Sequence, residues 1–382
     1  MDDVAAYAGA ALATDQRSDG ASLEFALLGL FGEAGSLLAE VKKRRRDAAS
    51  HVGYHDAVRE EIGDVLWYMA LVAHRAGSGL AEVCWAEGGM NRGSATFSAM
   101  QPVATTDAGA PTRLLEGRLL DVAGQVGALV NDQRAGNHSV DGALAVARLR
   151  SIMATVAVAA AEAGVTLADA AAANLQKTAS RWPTTAQRVH TPLFDEGFPE
   201  EERLPRLLEV EVFERAGPSG GSWVFQRING VNVGDRLTDN IREEDGYRFH
   251  DVFHYAYAAV LGWSPVLRSL LKLKRKSRPE IDEAEDGARA SIIEEGVSTW
   301  VFGQGKRVGH FEGLGLGQMR YDLLKTVRQF AEGFEVYACP PWMWEEAILQ
   351  GHDAFRFLLR ERAALVTVDL ERRVLTHGPL RR

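Results

Sequence analysis

Glu60-Glu61-Ile62-Gly63-Asp64-Val65-Leu66-Trp67-Tyr68 sets Glu61 and Asp64 three residues apart inside a run whose apolar residues return at helical spacing. That period predicts a helix, on which Glu61 and Asp64 share one face. The helix is expected from about Tyr54 to Ala76, ended by Gly77. Upstream, Leu23 to Arg46 shows the same period and carries Gly29-Leu30-Phe31-Gly32-Glu33-Ala34-Gly35. Between Leu23 and Ala76 almost no β-branched run suggests a strand. Two antiparallel helices joined by the loop after Arg46 bring Glu33 toward Glu61 and Asp64.

Carboxylates held together repel by roughly 1–4 kcal/mol per close pair at surface-like dielectric, so such a cluster tends to hold a cation. All-oxygen ligation favours Mg²⁺ or Mn²⁺ over zinc. A Mg²⁺ ion on a few carboxylates keeps positions for substrate phosphates and water. On spacing alone, a solvated helix face at Glu60 and Glu61 with an ordinary surface charge at Glu33 accounts for the same residues.

The two strings, with Lys42-Lys43 between them, resemble the MazG-like branch of the all-α NTP pyrophosphohydrolases over about the first half of the chain. The resemblance implies a Glu-x-x-Glu helix and a Glu-x-x-Asp helix holding Mg²⁺ for attack of water on a nucleoside triphosphate. The products are a nucleoside monophosphate and pyrophosphate. Carried over, Glu33, Glu61 and Asp64 are metal-holding catalytic residues, and Ser36 stands where the family usually has its second Glu. Glu40, on the same helix face as Glu33, is a substitute ligand, as is a water held by Ser36. Asn174-Leu175-Gln176-Lys177-Thr178-Ala179-Ser180-Arg181 resembles the family's Asn-x-x-Lys-x-x-x-Arg phosphate clamp.

An internal repeat underlies this half. Gly32 to Leu38 aligns with Gly124 to Val130, and Ala76-Gly77 through Glu82 with Ala163-Gly164 through Asp169. In the second copy Gln125, Arg148 and Ser151 replace Glu33, Glu61 and Asp64. The first copy has Glu87, Met90 and Ser94 where the second has Asn174, Lys177 and Arg181. A composite site follows, with acids from copy one (about 20–95) and bases from a degenerate copy two (about 112–183). Alignment of two alanine-rich hairpins by composition is the plainer alternative. Trp67 and Tyr68 are candidates to stack on a base, although aromatics on a bundle helix are more often core. Lys42 or Lys43 could reach phosphates, yet basic residues in a last helical turn also suit the helix dipole.

The chain has 382 residues, 46% hydrophobic and 25% charged, which argues for two folded domains. With 43 basic against 52 acidic residues, the net charge of −9 argues against nucleic acid and anionic membranes as partners. A nucleoside triphosphate fits better, and self-association stays open. Cys84 and Cys339 allow neither a disulfide framework nor a cysteine zinc site. Met1-Asp2-Asp3-Val4 does not read as a signal peptide, and Ile152 to Ala161 is too short to span a bilayer, so a cytoplasmic location is expected.

The expected fold is mainly α: an all-α bundle over 1–190, a proline-rich linker at 183–205, and an α-rich domain with a small antiparallel β element over 206–382. Helices are predicted near Gly79 to Gly88 and from Leu114 to Trp182 with a break at Gly136 to Gly142, and Ser94 to Thr112 reads as a linker. Leu207 to Phe213 and Ser222 to Val231 read as a hairpin, Tyr247 to Ala347 as helices, and Leu365 to Leu375 as a last strand pair turning at Glu371-Arg372. This second half, through Trp263-Ser264-Pro265 and the basic stretch Lys272 to Arg278, resembles the C-terminal domain fused to some MazG-like proteins, which implies no settled chemistry. His250, Asp251 and His254, with Glu294 and Glu295 on a later helix, make a candidate second metal site. A buried polar seam explains them as well.

Overall fold

Asp3 accepts the Ala6 amide proton at 2.8 Å and so starts α1 (Val4–Ala13), a helix upstream of the first one expected from the sequence. The computed structural model describes residues 1–15, 23–84, 95–103, 112–135, 142–217 and 220–380. These fall into two units, Met1–Ala179 and Ser180–Arg382.

In the first unit, α2 (Leu23–Asp47) and α3 (Tyr54–Arg75) form the expected antiparallel hairpin, turning through Ala48–Ser50 and a left-handed Gly53. Two short helices follow, α4 (Leu80–Val83) and α5 (Phe97–Met100). Then come α6 (Arg113–Ala135), α7 (Gly142–Glu162) and α8 (Leu167–Arg181). Helix α2 packs on α3 and α6, and α7 packs on α3 and α6. The seam is filled by Leu30, Leu37, Val58, Ile62, Leu119, Val126, Leu149, Ile152 and Val156, all essentially buried. Each such side chain contributes roughly 1.5–3 kcal/mol.

Two expectations change here. Part of the stretch read as a linker at Ser94 to Thr112 is packed structure: Phe97 is buried against Tyr7, and Gln101 bonds Val165 O and Leu167 N. The apolar segment at Ile152 to Ala161 belongs to a helix that begins at Gly142, long and apolar enough by length and composition to cross a membrane, the one such helix among the described residues. Its apolar face, from Ala145 and Leu149 to Ala160, lies inside the bundle, while Arg148 bonds Asp132 and Arg150 bonds the carbonyls of Glu82 and Val83. Glu87, Met90 and Ser94, the end of the helix expected to Gly88, and the break after Gly136 lie outside the described residues.

The second unit is built on a five-stranded antiparallel sheet, β1 (Leu207–Ala216), β2 (Ser222–Ile228), β3 (Val231–Asn232), β4 (Ala363–Asp369) and β5 (Val374–Gly378), in the order β3-β2-β1-β4-β5. Leu208, Val210 and Val212 alternate inward on β1, as do Ala364, Val366 and Val368 on β4, as a half-buried sheet requires. The strand expected to run to Val231 instead turns at Asn229-Gly230, both left-handed, the hairpin dipeptide whose φ values suit a two-residue turn. Helices α9 (Asp251–Ala256), α10 (Pro265–Leu271), α11 (Pro279–Ala284), α12 (Ala288–Lys306), α13 (Tyr321–Phe330) and α14 (Pro341–Glu361) complete the unit. A π-helical turn, Tyr257–Leu261, continues α9. Helix α14 runs past the expected end at Ala347, because Ile348, His352, Phe355 and Leu358 extend its buried face against α9 and the sheet.

The expected linker at 183–205 is part of this second unit. Asp195 is buried there, bonded to Arg268 Nη2 at 2.7 Å and paired with Arg206 at 2.9 Å, so its prolines shape an ordered segment. The unit begins inside α8, at Ser180, and not after Trp182.

Candidate metal centres

Among the described residues, two groups offer three or more ligand atoms within 4.8 Å of one another: Glu33, Glu61 and Asp64 in the first unit, and His250, His254 and Glu295 in the second. The first joins the middle of α2 to the middle of α3, as antiparallel packing of the hairpin dictates. Glu61 Oε2 is buried and takes no hydrogen bond from the described residues. Burial, then the charges of Asp64 and Glu33, pushes the Glu61 carboxyl up to about 8. Burial and Asp64 likewise raise Glu33, and burial raises Asp64 against the pull of Lys177. Three oxygens crowded at this cost fit a hard divalent cation, which would relieve both the desolvation and the repulsion.

Helix α8 completes this site. Asn174 Nδ2 donates to Asp64 Oδ1 at 2.8 Å, and Tyr7 Oη donates to Asn174 Oδ1 at 3.1 Å and to Gly63 O at 3.4 Å. Lys177 Nζ bonds Asp64 Oδ2 and lies 3.2 Å from Glu60 Oε1. Burial would lower the Lys177 ammonium, but Asp64 and Glu60 outweigh it and its pKa is raised. The close approach depends on Gly63. A Cβ there would sit 2.7 Å from the Ala170 carbonyl oxygen and 2.9 Å from Asn174 Cβ.

Other sequence candidates stand elsewhere. Glu40 is buried, but its carboxylate meets Lys43 at 2.6 Å and His51 at 3.0 Å. Two helical turns separate it from Glu33, about 10 Å along the axis, so sharing a face does not bring both to one ion. Lys43 is thereby engaged, while Lys42 is exposed beside Glu116 and Leu120 in a shallow surface cleft. Of the following arginines, Arg44 donates to Ala48 O just past the helix end, and Arg45 pairs with Glu116 on α6. Trp67 gives its indole N–H to Ala11 O and Thr14 Oγ1 on the α1 side and meets Tyr68 edge to face, which ties it to the core. Arg181 donates to Met319 O at 3.1 Å and lies over the rings of Trp182 and Tyr321, all within the second unit. At the aligned places of the second hairpin, Gln125 bonds Thr155 and Arg148 bonds Asp132.

Glu60, Tyr7 and Gly63 complete the first site, though none of them was among its expected residues. Glu60 was legible as the neighbour of Glu61, and Gly63 as a bare position on an acidic helix face. Tyr7 had no signal beyond the Asp3 cap.

In the second unit, His250 Nδ1 meets Tyr247 O at 2.8 Å and His254 Nδ1 meets Glu294 Oε1 at 2.8 Å. Glu294 also accepts from Ser264 Oγ at 2.6 Å and the Val266 amide at 2.8 Å. It therefore orients His254 and is not one of the converging ligands. The Nε2 atoms face Glu295, His250 at 3.8 Å and His254 at 3.4 Å, and Asp251 Oδ1 lies 3.2 Å from His250 Nε2. Burial disfavours charge on His254, yet Glu294 and Glu295 outweigh it and raise its pKa.

This centre, with the sheet and α14 behind it, lies within residues 189–381, which match the MazG C-terminal domain. The chain belongs to the MazG C-terminal domain family. The match covers about half of the chain and does not reach the first unit, whose likeness to MazG-like proteins rests on its helical fold and its two acidic strings. A 55-residue stretch, 14% of the chain, is 38% identical to Gene 37 protein of Mycobacterium phage L5. It covers 48% of that protein, so the chain spans about half the length of the curated relative it matches. No solved structure matches. A MazG C-terminal domain and two clusters able to hold a divalent metal are together consistent with metal-dependent, hydrolase-type chemistry in general terms.

Proposed function

We propose that the first unit hydrolyses nucleoside triphosphates, (d)NTP and water giving (d)NMP and pyrophosphate, with Mg²⁺ or Mn²⁺ on Glu33, Glu61 and Asp64. The observation that carries this reading is the convergence of those three carboxylates, one of them with a buried oxygen that takes no donor from the described residues. The bound ion would supply charge neutralisation of the phosphates and activation of water. Asn174 holds Asp64 in one orientation, with Tyr7 behind it. Lys177 balances the negative charge of Asp64 and Glu60 and stands where a fixed cation can meet phosphate. The acidic hairpin with Asn174 and Lys177 of α8 forms the composite site of a duplicated unit whose second copy has lost its acids.

Pyrophosphate release from a panel of nucleotides with Mg²⁺ or Mn²⁺, compared with Glu61→Gln, tests the reading. Release by the native chain that falls at least about 100-fold in the variant supports it. Ser36, at the place where the family usually has its second Glu, favours one other reading, a nucleotide-binding regulatory protein that senses without hydrolysing. Tight metal-dependent nucleotide binding without pyrophosphate release would select that alternative.

A further inference from the structure

We propose that the second unit carries a divalent transition-metal centre of its own, held by His250 Nε2, His254 Nε2 and the Glu295 carboxylate. The hydrogen bonds fix the tautomers. Tyr247 O can only accept, so His250 carries a proton on Nδ1, and Glu294, already accepting from Ser264 and Val266, takes the Nδ1 proton of His254. Each neutral ring is then left with its Nε2 lone pair, and both Nε2 atoms point to Glu295. A carboxylate or carbonyl behind a histidine is the usual way that a metal ligand is oriented.

The site is rigid where it must be. His254 and His250 are buried, and Tyr247 stacks on the His250 ring at 4.2 Å with its hydroxyl bonded to Thr299 at 2.7 Å. His254 Nε2 is buried, faces Glu295 Oε1 at 3.4 Å and takes no aligned hydrogen bond from the described residues, as expected of a nitrogen reserved for a ligand. Asp251 is steadied by the Gln226 amide, itself held by the Tyr255 hydroxyl, and adds a further oxygen beside His250. Glu295, with a side chain 43% exposed, opens the centre to solution.

Two imidazoles and a carboxylate suit zinc, iron, cobalt or nickel better than magnesium, so this centre and the all-oxygen one select different ions. Three protein ligands leave a position for water or an anionic ligand, the pattern of a reactive and not a purely structural metal site. The competing state is an imidazolium clamped between Glu294 and Glu295 with no ion.

Cobalt(II) added to the full-length, metal-stripped protein distinguishes the two. Cobalt(II) held at low coordination number by two imidazoles and a carboxylate absorbs strongly in the visible, whereas a six-coordinate ion on oxygens and water absorbs only weakly. The expected result is one equivalent of such absorption in the native chain and in Glu61→Gln, lost in His254→Ala and His250→Ala with at least about 100-fold weaker binding. Glu295→Gln, at a half-exposed position that does not threaten folding, should weaken binding by about 10-fold or more even if the histidine variants misfold. Absence of the band in the native chain, or a band indifferent to Glu295, overturns the proposal.

Discussion

Asn174 on α8 donates its side-chain amide to Asp64 Oδ1 on α3 at 2.8 Å, and takes the Tyr7 hydroxyl on its own oxygen. One buried amide thus ties three helices to a single carboxylate. Asn174→Ala should cost about 1–3 kcal/mol, the usual penalty for buried partners left unmatched. Mn²⁺ affinity should fall by about 10- to 100-fold, as when a residue behind a ligand is removed. Isothermal titration and a thermal melt read both, and unaltered Mn²⁺ affinity would show that Asp64 needs no such support.

Lys177 and Arg181 share a helix but not a fate. Lys177→Ala leaves Asp64 and Glu60 without their ammonium, and the pair is neither exposed nor fully buried. The expected loss lies between the roughly 1 kcal/mol of an exposed pair and the roughly 3–5 kcal/mol of a buried one. It should be largest without divalent metal, and pyrophosphate release should drop at least about 10-fold. Arg181→Ala should leave release unchanged, because its guanidinium serves Met319 O. Equal kinetics for native and Lys177→Ala protein would sink the composite site.

The Glu61 carboxyl, pushed up to about 8 by burial and its acidic neighbours, must take up a proton or bear their repulsion in the metal-free folded chain, and Glu61→Gln removes that cost. In metal-free buffer the variant should melt higher than the native chain, by about 2–4 °C if the relief is near 1 kcal/mol. Adding Mn²⁺ should then raise the native midpoint well above that of the variant, reversing their order. Melting curves with and without Mn²⁺ check this, and an unchanged order would mean that no ion binds there.

His352 supplies a pH test outside both ligand sets. Burial, with His310 and Arg356 nearby, holds it well below its ordinary 6.5, among Phe253, Phe311 and Phe355. Below about pH 6.5 the unfolded chain takes up a proton that the folded chain refuses. The stability contribution is therefore complete above 6.5 and is lost as the pH falls from there toward the folded value. Denaturation midpoints at several pH values should show this decline. His352→Phe should make it shallower without abolishing it, since His310 is shifted the same way.

The long helices were readable because α2 and α3 each keep an unbroken apolar stripe over many turns. Glu33, Glu61 and Asp64 were readable because antiparallel helices with a short turn bring their midpoints together. Glu40 misled because a shared helix face says nothing about distance along the axis. The contact of Arg181 with Met319 O was not legible, because the spacing of a motif cannot tell which neighbour a guanidinium will meet. Asn229-Gly230 carried a clear turn signal that was absorbed into an over-long strand. Asp195 and Phe198 hid an ordered segment among prolines, since burial there comes from partners as remote in sequence as Arg268 and Arg278.

Gly63 gives a way to read this site from tolerance to mutation. Loss of an acidic residue can mean that an ion is no longer needed, whereas a glycine in mid-helix is ordinarily replaceable by alanine at a gain in helix propensity. Here alanine meets the Ala170 backbone. In a library of substitutions selected for function, intolerance at position 63 would therefore report on the seating of α8, independently of whether the carboxylates on either side of it can be replaced.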